Sequence, residues 1–123
     1  MLSVGIDLVE IKRIQKSIQN PRFCSRVLGS REYSQLALRG FPVQSVAASF
    51  CAKEAFSKAL GTGLRGFSLN EVELMRDGAG KPYLALSGNA LQMAQEQRLV
   101  FSVSVTHTRD YAAAVVIGQE ETI

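Results

Sequence analysis

The sequence is poor in the residues that build common structural metal sites. Its 123 residues include one histidine, two cysteines and no tryptophan. The cysteines, Cys24 and Cys51, lack the paired spacing of a zinc site, and a single histidine cannot supply the missing ligands. We therefore expect no structural zinc. Two isolated cysteines fit a reducing cytoplasm, in which Cys51 would be a small buried hydrophobe.

Long apolar runs are also missing. Asp7 and Glu10 interrupt the apolar start before the hydrophobic region of a signal peptide could form. No other stretch is apolar over the length that a membrane-spanning helix needs. These absences predict a cytoplasmic protein without a membrane segment.

What the chain does have is the composition of one globular domain, predicted over residues 1–123. It is 46% hydrophobic and 20% charged, and it is too short for two domains of ordinary size. Its net charge of +3 and its pI of about 9.1 predict an acidic or phosphorylated partner. Charge alone does not distinguish an acidic protein from nucleic acid or a membrane surface.

The first half of the chain is predicted to be mainly helical. Residues 2–8 alternate in polarity and predict a strand with Asp7 on the face opposite the leucines. Ile11, Ile14 and Ile18 form the apolar stripe of a helix that follows. Two shorter helices should begin at Asn20–Pro21 and at Ser30, the second ending near Arg39. A long helix then covers Ala47 to Gly63.

The second half changes from a helical to a strand period. The predicted elements are strands around Val72 and Leu74 and over Tyr83 to Leu86, with a turn at Asp77–Gly78, a helix over 88–96, and strands over Phe101 to His107 and Tyr111 to Ile117. Helices followed by antiparallel strands predict an α+β fold.

Glu54 and Lys58 stand out on the long helix. At roughly 100° per residue, Ser49, Lys53 and Ser57 share one arc, which we predict to be the solvent face. Glu54 and Lys58 project away from it, towards the side where small residues favour close packing. The alternative is an ordinary ion pair one turn apart, which stabilises a helix by about 0.2–0.5 kcal/mol.

Asp7 is the other unusual acid, because aspartate is depleted in strands. The alternative interpretation of Asp7 and Glu10 is a cap that starts the next helix. Together, Asp7 and Glu54 would be hard oxygen ligands for Mg²⁺, which takes one or two carboxylates and completes its shell with water and phosphate oxygens. Lys58, one turn after Glu54, would then contact phosphate.

Four motifs carry a family resemblance. G-I-D-L-V-E near the start, F-C-A-K-E-A-F-S-K-A-L-G-T-G in the long helix, and then G-K-P-Y and V-S-V-T-H-T occur in order over nearly the whole chain. This combination resembles the holo-acyl-carrier-protein synthases, the small 4'-phosphopantetheinyl transferases. The resemblance implies the fold of that family, with a helical N-terminal half and a mainly antiparallel sheet wrapped around a long central helix.

The resemblance also implies a reaction. The 4'-phosphopantetheine group of coenzyme A would pass to a serine of an apo acyl carrier protein, with Mg²⁺ as cofactor and adenosine 3',5'-bisphosphate as the second product. Positioning and charge neutralisation are the main demands of such a transfer. The base that takes the serine proton stays open between Glu54 and a water acidified by the ion.

The site residues carried over from the family fall into four groups. They are metal ligands (Asp7, Glu54), catalytic residues (Glu54, Lys58), coenzyme A contacts (Lys58, Gly61, Lys81, Pro82, His107) and carrier-protein contacts (Arg13, Arg22, Phe23, Arg26). From the residues alone, Gly61 is equally a helix cap, Lys81 a hairpin connection, His107 a structural histidine and the arginines a solvated face. The chain departs from many relatives at Ser49, where they carry arginine, and at Cys51, where alanine is common.

The resemblance further implies a homotrimer with active sites between neighbouring chains. A chain of this length has limited apolar surface of its own to bury. We expect the late strands, with Val103, Val105, Val115 and Val116, to provide a shared sheet surface.

Two noncatalytic functions compete with this interpretation. A small basic RNA-binding domain fits the pI and the glycine loop, but the chain has only three tyrosines and six phenylalanines and lacks the paired aromatic strand motif of an RNA-recognition sheet. A noncatalytic assembly module leaves Asp7 and Glu54 unexplained. Binding of coenzyme A that strengthens with Mg²⁺ would distinguish the enzyme from both.

Overall fold

A long central helix lies between a three-stranded sheet and a smaller layer of helix and hairpin. The computed structural model describes residues 1–121. In chain order the elements are β1 (Leu2–Glu10), α1 (Ile11–Ile18), α2 (Pro21–Val27), α3 (Ser30–Ala37), α4 (Val43–Leu60), a 3-10 turn (Leu69–Glu71), β2 (Val72–Arg76), β3 (Pro82–Leu86), α5 (Gly88–Glu96), β4 (Leu99–His107) and β5 (Tyr111–Glu120). The predicted α+β class is confirmed.

The main sheet joins the two ends of the chain. Its order is β1-β5-β4 and both pairings are antiparallel, while β2 and β3 form a separate hairpin. Asp7 on β1 lies opposite Ala114 on β5, which in turn lies opposite Val105 on β4. The first strand is therefore held by the last, and its acid has a fixed place in the sheet.

Small residues let β1 and α4 pack closely. Ala52, Ala55 and Phe56 of α4 are completely buried. A Cβ atom added at Gly5 would collide with the backbone of Ala55 and Ala59. Only glycine leaves room for this approach, which places the inner face of β1 directly against α4.

The predicted solvent face of α4 is wrong. Ser49, Lys53 and Ser57 are each at most 2% exposed. The sheet covers one side of α4 and α3 with β2 covers the other, so α4 is a buried helix rather than an amphipathic surface helix. The Lys53 ammonium is accommodated because it donates to Glu32 Oε1 at 2.7 Å and to the carbonyl oxygen of Val72.

Glu32, which accepts a hydrogen bond from Lys53, belongs to a network that joins α3, α4 and β2. Glu32 accepts the backbone N–H of Gly29 at 3.1 Å and that of Leu74 at 2.9 Å. Glu73 accepts the backbone N–H of Glu32 at 2.8 Å and pairs with Arg31 at 3.1 Å. Burial lowers the pKa of Lys53, and the charge of Glu32 opposes that shift. We call Glu32, Lys53 and Glu73 the buried ion cluster.

The helix starts were predicted with mixed success. Asn20 caps α2 as expected, since its side-chain oxygen accepts the N–H of Arg22 at 3.0 Å. Ser30 does not cap α3, because Gly29 occupies the cap position and the Glu32 carboxylate takes its N–H. The alternative role of Asp7 and Glu10 as a cap is also wrong, because β1 continues to Glu10, which forms no side-chain cap bond.

The shared surface predicted on the late strands is mostly wrong. Val116 is fully buried, and Val103 and Val105 pack inwards against the core. Of the four valines only Val115 lies on the outward side of the sheet, opposite Ile6. Strand alternation sends the other three towards α4.

The outward side of the sheet carries a different apolar set. Leu2, Val4, Ile6 and Leu8 of β1 are each at least 63% exposed. Ile117 lies opposite Val4, and Val115 lies opposite Ile6. We call these six residues the outer sheet face. Asp7 is on the opposite side from the leucines, as the alternation predicted.

Candidate active site

Asp7, Glu54 and Lys58 come together where β1 crosses α4. The Lys58 ammonium lies 3.5 Å from Asp7 Oδ1 and donates to the carbonyl oxygen of Ile6 at 2.9 Å. The Asp7 side chain is 18% exposed and that of Lys58 is 53% exposed. The lysine thus reaches from the helix back to the strand while its charge remains open to solvent. We call these three residues the acid cluster.

The two carboxylates of the acid cluster repel one another. Partial burial raises the pKa of Glu54, and the charge of Asp7 raises it further, while Lys58 and Arg13 oppose the shift. Bringing a second cation between Asp7 and Glu54 would relieve this repulsion. The pair therefore has the electrostatic character of a cation site.

Cys51 borders the acid cluster without adding a ligand to it. Burial, followed by the charges of Asp7 and Glu54, raises its pKa to about 12. It therefore remains a neutral thiol, and its sulfur donates to the carbonyl oxygen of Ala112 at 3.4 Å. Within residues 1–121 no three potential histidine, cysteine or acidic ligands gather around one point. Two carboxylates suit Mg²⁺, whose shell is commonly completed by water and substrate phosphate.

The glycines after α4 close the helix next to Lys58. Gly61 has a φ of 88°, and its N–H points to the carbonyl oxygens of Ser57 and Lys58. Gly63 also donates to Ser57. This confirms a left-handed helix cap, and a contact of Gly61 with coenzyme A stays a prediction.

His107 is not part of the acid cluster. It ends β4 opposite Ala112, which pairs with Val9 of β1, so two strand spacings or roughly 10 Å separate it from β1. It lines a cavity of about 550 Å³ at the start of α4 together with Arg39 and Arg76. Lys81 and Pro82 lie in and beside the hairpin turn whose Gly80 borders the same cavity.

Sequence reasoning missed Arg39 and Arg76. Arg39 stands where a helix was predicted to end and Arg76 precedes the predicted turn at Asp77, and a basic residue in either position is too common to indicate a site. Only the packing of α3, α4 and the hairpin brings these arginines to His107.

The predicted carrier-protein contacts lie on α1 and α2. Arg13 is close enough to lower the pKa of Glu54, so it borders the acid cluster. Arg22 and Arg26 are exposed on α2. Phe23 is half-buried, with its ring centroid 6.1 Å from that of Phe50, so only part of this side chain is available to a partner.

Comparison with known proteins matches the chain to a family of transferases. Residues 3–116 match the model of the 4'-phosphopantetheinyl transferase superfamily. The holo-[acyl-carrier-protein] synthase of Clostridium botulinum (strain Eklund 17B / Type B) is 40% identical over 93% of this chain and 94% of that protein.

Solved structures agree with the sequence match. The crystal structure of holo-[acyl-carrier-protein] synthase from Neisseria meningitidis is 32% identical, with a TM-score of 0.89 over 96% of this chain and 98% of that one. The holo-(acyl-carrier-protein) synthase from Bacillus anthracis str. Ames, solved in complex with CoA (3',5'-ADP), is 31% identical with a TM-score of 0.79 over 97% and 96%.

The fold and these relatives define an α+β transferase. The chain belongs to the 4'-phosphopantetheinyl transferase superfamily, and its resemblance to the holo-acyl-carrier-protein synthases is confirmed.

Proposed function

We propose that this enzyme transfers the 4'-phosphopantetheine group of coenzyme A to a serine of an apo acyl carrier protein, with Mg²⁺, and releases adenosine 3',5'-bisphosphate. The observation that carries the proposal is the acid cluster, in which Asp7 and Glu54 repel each other beside an exposed lysine. The relative from Bacillus anthracis, solved with CoA (3',5'-ADP), supports the donor. We assign this function to the whole chain, residues 1–123, as one domain.

Asp7 and Glu54 would hold the Mg²⁺ ion. Their carboxylates fit because they are hard oxygen donors, partly buried and mutually repelling. When bound, the ion would neutralise charge on the diphosphate of coenzyme A.

Lys58 would bind the diphosphate next to these carboxylates. Its ammonium has three donors, and the carbonyl oxygen of Ile6 already fixes one of them. The exposure of the side chain leaves the others free to reach phosphate oxygens and to offset the charge of the leaving group. Among the residues of the chain, Glu54 is our candidate for accepting the proton of the serine hydroxyl, since it is a partly buried carboxylate one turn of α4 from Lys58.

The carrier protein would dock on the basic side of α1 and α2. Arg13 borders the acid cluster, and Arg22 and Arg26 extend positive charge along α2 next to Phe23. An acidic helical partner would find complementary charge there. We expect no nucleic-acid partner and no membrane partner. No helix in residues 1–121 is long and apolar enough to span a membrane. Cys24 and Cys51 are free thiols, which suits the cytoplasm that we propose.

We propose a homotrimer in which the outer sheet face meets a second copy of the chain. Four apolar side chains of β1 at least 63% exposed form a patch of the kind that usually marks an interface. Within one chain the cavity of His107 is separated from the acid cluster. Ala48, which lines the cavity, lies ten residues before Lys58 on α4, or about 15 Å along the helix axis. A site between copies would bring the acid cluster of one chain to the His107 cavity of the next, and such a closed ring has three equivalent sites.

The reaction is tested by incubating the protein with coenzyme A, Mg²⁺ and an apo acyl carrier protein, and then weighing the carrier by mass spectrometry. We expect the carrier to gain the mass of the 4'-phosphopantetheine arm only when both coenzyme A and Mg²⁺ are present. A carrier of unchanged mass after prolonged incubation, with a relative's enzyme as positive control, would contradict the proposal.

The shared site is tested by mixing impaired subunits. Glu54→Gln and His107→Ala chains, co-refolded at one to one, should regain activity because about a quarter of the interfaces in a closed ring then pair two intact halves. Subunit exchange is verified with a mass-tagged copy. A mixture no more active than its parents, with exchange verified, would place both residues in one chain's site.

A further inference from the structure

Lys53 is a fully enclosed cation in the middle of α4, and both of its acceptors belong to other elements. Its ammonium donates to Glu32 Oε1 of α3 at 2.7 Å and to the carbonyl oxygen of Val72, the first residue of β2. The side chains of Lys53 and Glu32 have no exposed surface. Hydrogen bonds are directional, and those between charged groups are the strongest. These bonds therefore hold Lys53 at one angle around the axis of α4.

The carboxylate that Lys53 contacts is itself held in place. Glu32 also accepts the N–H of Gly29 at 3.1 Å and that of Leu74 at 2.9 Å. Its own backbone N–H donates to the buried carboxylate of Glu73 at 2.8 Å. Lys53 is therefore tied to a rigid frame formed by α3 and β2 rather than to a mobile side chain.

Most of the other buried side chains around the middle of α4 are small. Ala47, Ala48, Ala52, Ala55 and Ala59 are each at most 4% exposed. Alanine side chains let neighbouring elements approach closely, but they form shallow ridges that interlock weakly. Apolar contacts are also non-directional. The bonds of Lys53 therefore add a directional restraint that these contacts lack.

The rotation of α4 also sets the direction of the acid cluster. Glu54 follows Lys53 directly, and Lys58 reaches back from the next turn to the carbonyl oxygen of Ile6 at 2.9 Å. A helix with its side chains is about 10–12 Å across, so turning α4 by about 10° would move the tip of Glu54 by about 1 Å. Even a small turn would change the spacing between Glu54 and Asp7.

We infer that Lys53 is a positioning residue for the proposed Mg²⁺ site. Its bonds to α3 and β2 fix the rotation of α4, and this rotation holds Glu54 towards Asp7. The inference rests on the proposed function, since it takes Asp7 and Glu54 as the metal ligands. Because Lys53 is fully enclosed, it would contact neither the ion nor coenzyme A. It would act on both only through the helix that it shares with Glu54.

Metal binding tests the inference without the transfer reaction. Mn²⁺ alone is the probe, since it takes the same hard oxygen ligands as Mg²⁺, and the free ion is measured by electron paramagnetic resonance. Lys53→Met should raise the Kd about tenfold, which is the lower end of what supporting residues contribute to a metal site. Glu32→Gln, which keeps the shape of the acceptor but weakens the anchor, should raise the Kd less. This second variant decides the inference if Lys53→Met does not fold.

The matched control is Leu99→Ala, which removes a buried side chain at the start of β4 and should also destabilise the fold. All variants are measured at a temperature at which circular dichroism shows them to be folded. A loss of stability alone would lower the number of folded molecules and leave their Kd unchanged. We therefore expect Leu99→Ala to bind Mn²⁺ with the wild-type Kd.

The transfer assay adds a second measurement. The Mg²⁺ concentration that gives half the maximal rate should rise about tenfold in Lys53→Met. The KM for the carrier protein, whose proposed docking surface is on α1 and α2, should stay at its wild-type value. If the wild-type protein modifies no carrier, the proposed reaction fails, and Mn²⁺ binding still decides the inference.

Two results would overturn the inference while the reaction stands. In the first, folded Lys53→Met and Glu32→Gln bind Mn²⁺ and respond to Mg²⁺ as the wild type does, so Lys53 only stabilises the fold. In the second, Glu54→Gln binds Mn²⁺ as tightly as the wild type, so Glu54 is not a ligand that Lys53 could position.

Discussion

Lys53 and Glu54 are neighbours in the sequence and face opposite sides of the same helix. Lys53 lies in the buried ion cluster, where it is fully enclosed and donates to Glu32 and to Val72. Glu54 lies in the acid cluster, half-buried and repelled by Asp7. In the buried ion cluster the Lys53 charge is paired and enclosed, whereas in the acid cluster two like charges lie close together and are only partly buried. Charged residues inside this fold therefore divide into those whose partners the fold supplies and those that the fold leaves close to a like charge.

The largest expected effect is on stability and concerns Lys53. Lys53→Met should lower the free energy of unfolding by about 3–5 kcal/mol, because it leaves the Glu32 carboxylate buried without its cation. Denaturant titration measures this change. Lys58→Met is the matched control and should cost less than about 1 kcal/mol, because the ammonium of Lys58 is half exposed. Equal losses in both variants would remove the distinction between the clusters.

The second prediction concerns activity at Glu54. Glu54→Gln should fold normally and lower kcat about 100-fold or more, since it removes one of the two carboxylates that would hold the Mg²⁺ needed at the diphosphate. The transfer assay at limiting and at saturating Mg²⁺ measures the loss, and Glu10→Gln on the exposed end of β1 is the control. Normal turnover of Glu54→Gln at limiting Mg²⁺ would show that Glu54 is not a metal ligand.

The third prediction separates a docking cation from the acid cluster. Arg22→Glu should raise the KM for the carrier protein about tenfold at low salt and leave the affinity for coenzyme A nearly unchanged, because docking charges act on encounter and orientation. The difference from wild type should shrink as salt is added, because salt screens exposed charges. An equal loss of affinity for coenzyme A would instead place Arg22 in the active site.

The smallest effect is a pH dependence of stability. The pKa of Glu54 is raised in the folded protein, so ionising this group lowers the stability of the fold. The loss is absent below the pKa of the unfolded chain, near ~4, and develops as the pH rises through the folded-state pKa. Without metal, Glu54→Gln should therefore become more stable relative to wild type as the pH is raised from 4 to 7. Because Glu54 is partly solvated, we expect a gain of only ~1–3 °C in Tm, measured calorimetrically with a chelator present. If the Tm of Glu54→Gln instead fell relative to that of wild type over this pH range, the expected direction of the effect would be contradicted.

The sequence was sufficient for the order of elements and for the acid cluster. The alternation of β1 placed Asp7 on the face opposite the leucines, and a glycine caps the end of α4 as predicted, although α4 spans Val43–Leu60 rather than Ala47 to Gly63. It was not sufficient for the surroundings of α4. The arc of Ser49, Lys53 and Ser57 has the polarity of a solvent face, and only the packing of α3 and β2 against it supplies the partners of Lys53.

The same limitation applies to the surface of the sheet. Alternation defines two sides of a strand but not which of them meets the core. The sequence therefore favoured Val103, Val105 and Val116 for a shared surface, although they point towards α4. The apolar side of β1 faces outwards instead because its inner side carries Gly5 and Asp7, which the close contact with α4 and the acid cluster require.

Gly5 has a consequence for how the protein tolerates mutation. It bears no functional group, yet any side chain there would meet the backbone of Ala55 and Ala59 and push β1 away from α4. The spacing between Asp7 and Glu54 would widen with it, and a separation error of 1 Å can cost a catalytic site about 100-fold. In a library of all single substitutions selected for activity, position 5 should therefore accept fewer replacements than the solvent-exposed position 10. The geometric tolerance of the site would then be set by a residue that never touches a substrate.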